Sequence, residues 1–155
     1  ATTIAGRIAR AYGKPAGDQG FAGLTHLFPA PERLARARFN RLGITSSRAA
    51  TLRSVARAVI DGVLTFDASQ DLATFRESLL AIPGIGEWTA QYVAMRALKN
   101  PDAFPAADLG LLRAFDEPGR QRMRPAQLEE LSQAWRPWRA YAALLLWNPV
   151  PGSGG

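Results

Sequence analysis

One acidic residue, Asp108, stands in the apolar run "FPAADLGLLRAF", at a predicted helix start with no cysteine or lysine nucleophile nearby. A carboxylate fixed there can stabilise developing positive charge or orient a water. Asp is also a preferred helix N-cap. The two roles are compatible, because capping N–H groups hold the side chain and favour its ionised form. Asp102, in "KNPDAF", is the nearest competitor; it reads as an exposed turn and ranks below. Twenty residues before Asp108, Trp88 and Tyr92 are four apart on one predicted helix and therefore share a face, and Trp147 ends the last apolar-periodic segment. For Trp135, Trp138 and Phe115 core packing is the expectation. Arg139 can pair with a carboxylate or touch a phosphate, and the sequence leaves that choice open.

Just before Trp88 stands "IPGIG". Its glycines, Gly84 and Gly86, can take positive φ and leave backbone N–H groups facing outward. Those donors lie at a helix N-terminus, where the helix dipole also favours an anion. A DNA phosphate suits such a place whatever the base sequence. The plainer alternative is a tight turn between two packed helices, which a lone Gly-x-Gly more often is.

The elements that must position these residues read as helices almost throughout: apolar spacing near 3.6 recurs and strand-like alternation is nearly absent. The first helix is predicted from about Thr3 to Tyr12, stopping at Gly13, with a Gly-rich loop through Gly23. Pro31 opens a short helix to about Ala37, and a turn ends at Gly43. Ser46 or Ser47 should cap a longer helix ending near Gly62, and Ser69 should begin the next. Beyond the hairpin come helices over about 87–99, from Asp108, over 125–135 and over 137–147. The opening "ATTIAGRIARAYG" has no capping sequence before it, which suggests a chain that begins inside its own domain.

The chain of 155 residues suits a single compact unit with a core. Its net charge of +6 and pI near 10.7 favour polyanionic partners. No cysteine is present, which excludes disulfides, Cys-ligated zinc and iron–sulfur clusters, and the single His26 cannot build a multi-histidine metal site. Catalysis would have to use carboxylates, hydroxyls, backbone or water. No run of about 18 apolar residues and no signal-peptide pattern occurs, so a soluble cytoplasmic protein with no membrane partner is the expectation.

The full pattern Leu80-x-Ile82-Pro83-Gly84-Ile85-Gly86-x-x-Thr89-Ala90, followed some twenty positions on by Asp108, resembles the helix-hairpin-helix DNA glycosylases. "WRPWRAYAALLLW", residues 135–147, looks like the final helix of their DNA-3-methyladenine glycosylase II (AlkA-type) branch, and "FPAADLGLLRA" looks like its catalytic segment. With the opening helix, the similarity covers nearly the whole chain. It implies an all-α helical core over residues 1–148 and a disordered tail over 149–155. The family's N-terminal β-rich domain, and the helix bearing the residue that wedges into the DNA stack, are expected to be absent, leaving the catalytic core N-terminally incomplete.

The same resemblance implies a monofunctional glycosylase that releases alkylated bases, of the 3-methyladenine and 7-methylguanine type, from double-stranded DNA in base excision repair. Asp108 is then the catalytic carboxylate beside C1′ of the sugar. Trp88, Tyr92 and Trp147 line the pocket for the flipped base, where electron-rich rings suit a cationic base. Gly84, Ile85, Gly86 and Thr89 hold the DNA backbone. Position 88 is where bifunctional relatives carry a Lys that forms a Schiff base, which Trp cannot do. No cofactor or metal is expected, apart from room for a monovalent cation at the hairpin in a DNA complex. A monomer, associated with a bacterial nucleoid, completes the expectation. A non-catalytic helix-hairpin-helix DNA-binding module is the alternative, and it leaves Asp108 and the three rings without a role.

Overall fold

The structure, a computed structural model, describes residues 2–17, 23, 25–67, 70–116 and 121–148. The predicted tail 149–155, Ser69 and much of the Gly-rich loop lie outside the described residues. Among those described, eight α-helices and one 3₁₀ turn form. No strand does; Pro15 and His26 make an isolated bridge. None of these helices is long and apolar enough to cross a membrane.

The chain groups into two compact units, where the sequence alone suggests one: residues Ala1–Thr65 with Ala81–Gly84, and Phe66–Leu80 with Ile85–Gly155. The first holds α1 (Thr2–Tyr12), α2 (Pro31–Ala35) and α3 (Ser46–Ile60). Its core is Ile8, Ala37, Phe39 and Ala49, ringed by Ile4, Tyr12, Leu34, Leu42, Ile44 and Leu52. Tyr12 meets Phe39 edge-on, and its hydroxyl donates to the Arg38 carbonyl. The cap of α3 is Thr45, whose hydroxyl accepts from the Arg48 N–H, and not Ser46 or Ser47. All three residues are suitable caps, and only the extended backbone at Thr45 decides between them.

The second unit holds α4 (Leu72–Leu80), α5 (Glu87–Ala97), α6 (Leu109–Arg113), α7 (Pro125–Ser132), the 3₁₀ turn Gln133–Trp135 and α8 (Arg139–Trp147). Asp71 caps α4 through Thr74 N–H at 3.0 Å, so this helix starts after the predicted position. Phe75, Phe104, Leu111 and Leu128 are fully buried here, α4 packs on α5, and α6 packs on α8. Removing each of those side chains from water contributes about 1.5–3 kcal/mol. Trp135 follows the core expectation in part: half-buried, it stacks on Phe115 and meets Phe104 edge-on. Trp138 does not. It is 58% exposed, because Arg139, Ala140 and Ala143 turn the other side of α8 inward.

Candidate active site

Asp108 is the N-cap of α6. Its backbone is extended, and its Oδ1 accepts from the N–H groups of Gly110 at 2.8 Å and Leu111 at 3.1 Å. Capping explains two of its bonds and leaves two unexplained. Trp147, at the end of α8, donates its indole N–H to the same Oδ1 at 2.8 Å, and Trp88, in the first turn of α5, donates to Oδ2 at 2.8 Å. Burial pushes the carboxyl up, but the bonds from Trp147, Trp88, Leu111 and Gly110 outweigh it and hold Asp108 below the ordinary carboxylate range. The group is an anion at neutral pH.

The three rings named from sequence meet around this anion. Trp88 stacks on Tyr92 with centroids 5.3 Å apart and planes 15° off parallel; Tyr92 and Trp147 are 6.0 Å apart and tilted by 58°. Two van der Waals layers need about 7 Å, so no flat base fits between either pair as they stand. The rings form a closed aromatic wall, with Trp88 40% exposed. An open cleft of about 940 Å³ in this unit runs past Trp88, Glu87, Gln91, Arg76 and Pro105; Asp108, Tyr92 and Trp147 do not line it. The cleft and the carboxylate share Trp88, which lines the one and donates to the other.

Several supports were not read from sequence. Gly110 is one: a Cβ there would lie 3.0 Å from Asp108 Oδ1 and 3.1 Å from Trp147 Cδ1, so the bare α-carbon lets the indole reach the carboxylate. A glycine in the first turn of an apolar helix was the available signal. Gln91 is another. Its Oε1 accepts from Phe104 N–H at 3.1 Å, and its Nε2 donates to Glu87 Oε1, which also accepts from Arg76 Nε at 2.6 Å. The hydrogen bond to Arg76 holds the Glu87 carboxyl below its usual value.

Asp102 corrects its expectation. It lies in a turn, but its carboxylate is largely covered and grips Arg139 with two bonds, from Nε at 2.8 Å and Nη2 at 2.9 Å. Arg139, whose side chain is 5% exposed, also donates to Glu129 at 2.9 Å. These ties fix the loop that leads to Phe104 and Asp108. They occupy Asp102, and they settle the choice left open for Arg139 in favour of a carboxylate.

The hairpin residues fall on both sides of the division between the units. Gly84, in the first, has φ +88°, and a Cβ on it would lie 2.2 Å from Thr51 Oγ1, which donates to the Pro83 carbonyl. Only glycine serves there. Gly86, in the second, caps α5 with φ −107°, ordinary for any residue, and a Cβ on it would meet nothing within 4 Å. Of the two hairpin glycines, Gly84 takes the positive φ and Gly86 does not. Ile85 and Thr89 are half-buried. Among the described residues no cluster of three His, Cys, Asp or Glu could hold a metal ion.

No protein-family model matches the chain. It is 45% identical over 150 residues to a probable bifunctional transcriptional activator/DNA repair enzyme AlkA of Mycobacterium tuberculosis, spanning 97% of this chain and 30% of that protein. To DNA-3-methyladenine glycosylase 2 of Escherichia coli it is 35% identical, over 95% of this chain and 50% of that one. The chain thus spans half or less of the length of these curated relatives. Among solved structures, the 3-methyladenine DNA glycosylase Mag1 of Schizosaccharomyces pombe, in complex with abasic DNA, superposes with a TM-score of 0.76 at 23% identity, covering 94% of this chain and 69% of that one. Over the portion it spans, the chain belongs to the helix-hairpin-helix DNA glycosylases, on their AlkA-type branch.

Proposed function

We propose that this chain carries the catalytic core of a monofunctional DNA glycosylase acting on alkylated bases in double-stranded DNA. The observation that supports it most is the state of Asp108: an anion held by four N–H donors, two of them on aromatic rings. Breaking an N-glycosidic bond develops positive charge on the sugar, and a preorganised carboxylate stabilises it without reorganising. A base alkylated to a cation leaves as a neutral molecule, so no general acid is needed. The aromatic wall suits such a base through cation–π attraction. Since no gap exists between the rings, the extruded base stacks on an outer face of the wall, or Trp88 shifts to admit it.

Water is the nucleophile in this scheme, because position 88 offers an indole and no amine. The glycine-capped start of α5, with Thr89 in its first turn, and the turn at Gly84 and Ile85 provide backbone donors for DNA phosphate. No cofactor enters the reaction; a monovalent cation at the hairpin would serve DNA binding alone. The test is incubation with duplex DNA methylated at purines. Abasic sites should accumulate in strands that break only on alkali treatment. Strand breakage without alkali, or borohydride trapping of a covalent protein–DNA adduct, would refute the monofunctional reading. Absence of any abasic site would leave the DNA-binding module as the better account.

A further inference from the structure

The two oxygens of Asp108 are held from different elements. Oδ1 takes its donors from Gly110 and Leu111 on α6 and from Trp147 on α8, whereas Oδ2 accepts from the Trp88 indole on α5. The segment 101–108, which ends on the carboxylate, is tied first to α8: the Pro101 carbonyl accepts from Ala140 N–H at 2.9 Å, and Asp102 grips Arg139. Among the described residues two hydrogen bonds tie it to α5. One is the Trp88 bond itself; in the other, Gln91 Oε1 accepts from Phe104 N–H at 3.1 Å. Gln91 stands one turn beyond Trp88.

Phe104 is 1% exposed and Ala103 is fully buried, so the N–H between them has no water to turn to. Its acceptor must be an oxygen, and the far arm of Gln91 ensures that it is. Gln91 Nε2 donates to Glu87 Oε1 at 3.0 Å, and the same oxygen accepts from Arg76 Nε at 2.6 Å. Turning the amide over would set its NH₂ against the Phe104 N–H and its oxygen against the Glu87 carboxylate. An ion pair as exposed as Arg76–Glu87 adds little to stability. Its effect is to fix which end of Gln91 faces Phe104.

We propose, on the glycosylase reading above, that Gln91 is a positioning residue for base release: through Phe104 it sets the register of the Asp108 segment against α5. Two of the three rings of the wall, Trp88 and Tyr92, ride on α5, so that register is the distance from the carboxylate to a base stacked there. The tolerance is small. A slip of about 0.7 Å takes the 2.8 Å Trp88 bond to ~3.5 Å, where it ceases to be a hydrogen bond. An unloaded Oδ2 then holds a proton more tightly, since the Trp88 bond is one of those that keep the carboxyl low.

Two variants of the full chain separate positioning from stability. Gln91→Met keeps the bulk and removes the acceptor; Gln91→Ser removes the arm but leaves room for a water on the Phe104 N–H, so it folds with little loss. Each is followed by thermal melting, by the indole N–H resonance of Trp88 without DNA, identified through Trp88→Phe, and by single-turnover formation of abasic sites in methylated duplex across pH. In both, the Trp88 resonance should move toward that of a water-bonded indole, and the acidic limb of the rate should move to higher pH. The plateau rate should fall by about 10–100-fold, the scale of a misplacement of about 1 Å, with duplex affinity within about threefold. A lower melting temperature with the resonance and the limb unmoved would make Gln91 a structural residue and overturn the proposal. So would a Gln91→Ser protein that keeps the original resonance and rate, and should Gln91→Met fail to fold, Gln91→Ser decides alone. The resonance needs no substrate, so a failure of the glycosylase reading appears separately, as absent abasic sites in the unmodified protein while the resonance still reports on Gln91.

Discussion

Replacing Asp108 by Asn is the most informative single change, because the geometry says which bonds survive. Oδ1 accepts three N–H donors, from Gly110, Leu111 and Trp147, and Oδ2 accepts one, from Trp88. The amide will keep its oxygen on the three-donor side, which places its NH₂ against the Trp88 N–H at the former 2.8 Å. That bond is lost. Trp88 is 40% exposed, so water can replace it, at a cost of about 1 kcal/mol or less. Asn caps about as well as Asp, and the melting temperature should fall by roughly 2–4 °C at most. Chemistry should suffer far more. Losing one preorganised charge lowers a rate by about 10²–10⁴-fold, equivalent to roughly 3–5 kcal/mol in the transition state. The assay is single-turnover release of 7-methylguanine from duplex DNA, scored as alkali-labile sites, with duplex affinity measured beside it. Trp88→Phe is the control: it removes the same Oδ2 bond and part of the stack on Tyr92 while leaving the charge in place, and it should cost less than about tenfold. An Asn variant within threefold of the unmodified protein would refute the reasoning and leave Asp108 as a cap.

Because Asp108 is held below the ordinary carboxylate range, single-turnover rates should stay level as pH falls through about 4 and drop only beneath it. Trp147→Phe, which keeps a ring but removes one donor, should move that acidic limb to higher pH; an unmoved limb would contradict the hydrogen-bond account. The stabilising effect of the depressed carboxyl follows the same sign: present above the unfolded value and lost as pH falls through the folded one, which denaturant titrations of Asp108→Asn at stepped pH would display. Gly84→Ala should lower stability by about 2 kcal/mol or more through its positive φ and Thr51, whereas Gly86→Val, a poorer helix cap with no clash, should lower it by about 1 kcal/mol or less and bind every duplex more weakly. Arg139→Ala removes both bonds that grip the largely covered Asp102, leaving it only the longer contact to Arg136 at 3.3 Å, and should cost about 3 kcal/mol, some 6–12 °C in melting temperature; a smaller change would show that Arg136 takes over.

The parts legible in the sequence are those written in neighbouring residues. Helical spacing, the stop at Gly13, the turn at Gly84 and the cap at Asp108 each depend on a few adjacent positions, and each stands close to where the pattern puts it. Contacts across long stretches were not legible. Asp102 reads as a turn residue from its own neighbours, and only an arginine 37 positions away makes it an ion pair. Trp88 and Trp147 suggest ring faces for stacking, because nothing in their type says that the indole edges turn to one carboxylate, 20 and 39 positions distant. The sequence assigns Gly86 the same backbone freedom as Gly84. They differ in the backbone, φ +88° at Gly84 against −107° at Gly86, and in Thr51, which crowds one and not the other.

The unequal loading of the Asp108 oxygens ties space to reactivity. Oδ1 is saturated, so the lone pairs available to an incoming sugar or water belong to Oδ2, whose one protein donor among the described residues is the indole of Trp88. That indole is also half of the tighter stack in the wall. On the glycosylase reading, a swing of Trp88 wide enough to part it from Tyr92 also strips Oδ2 of its donor, so room for a base and a barer, more basic oxygen would arise in one movement.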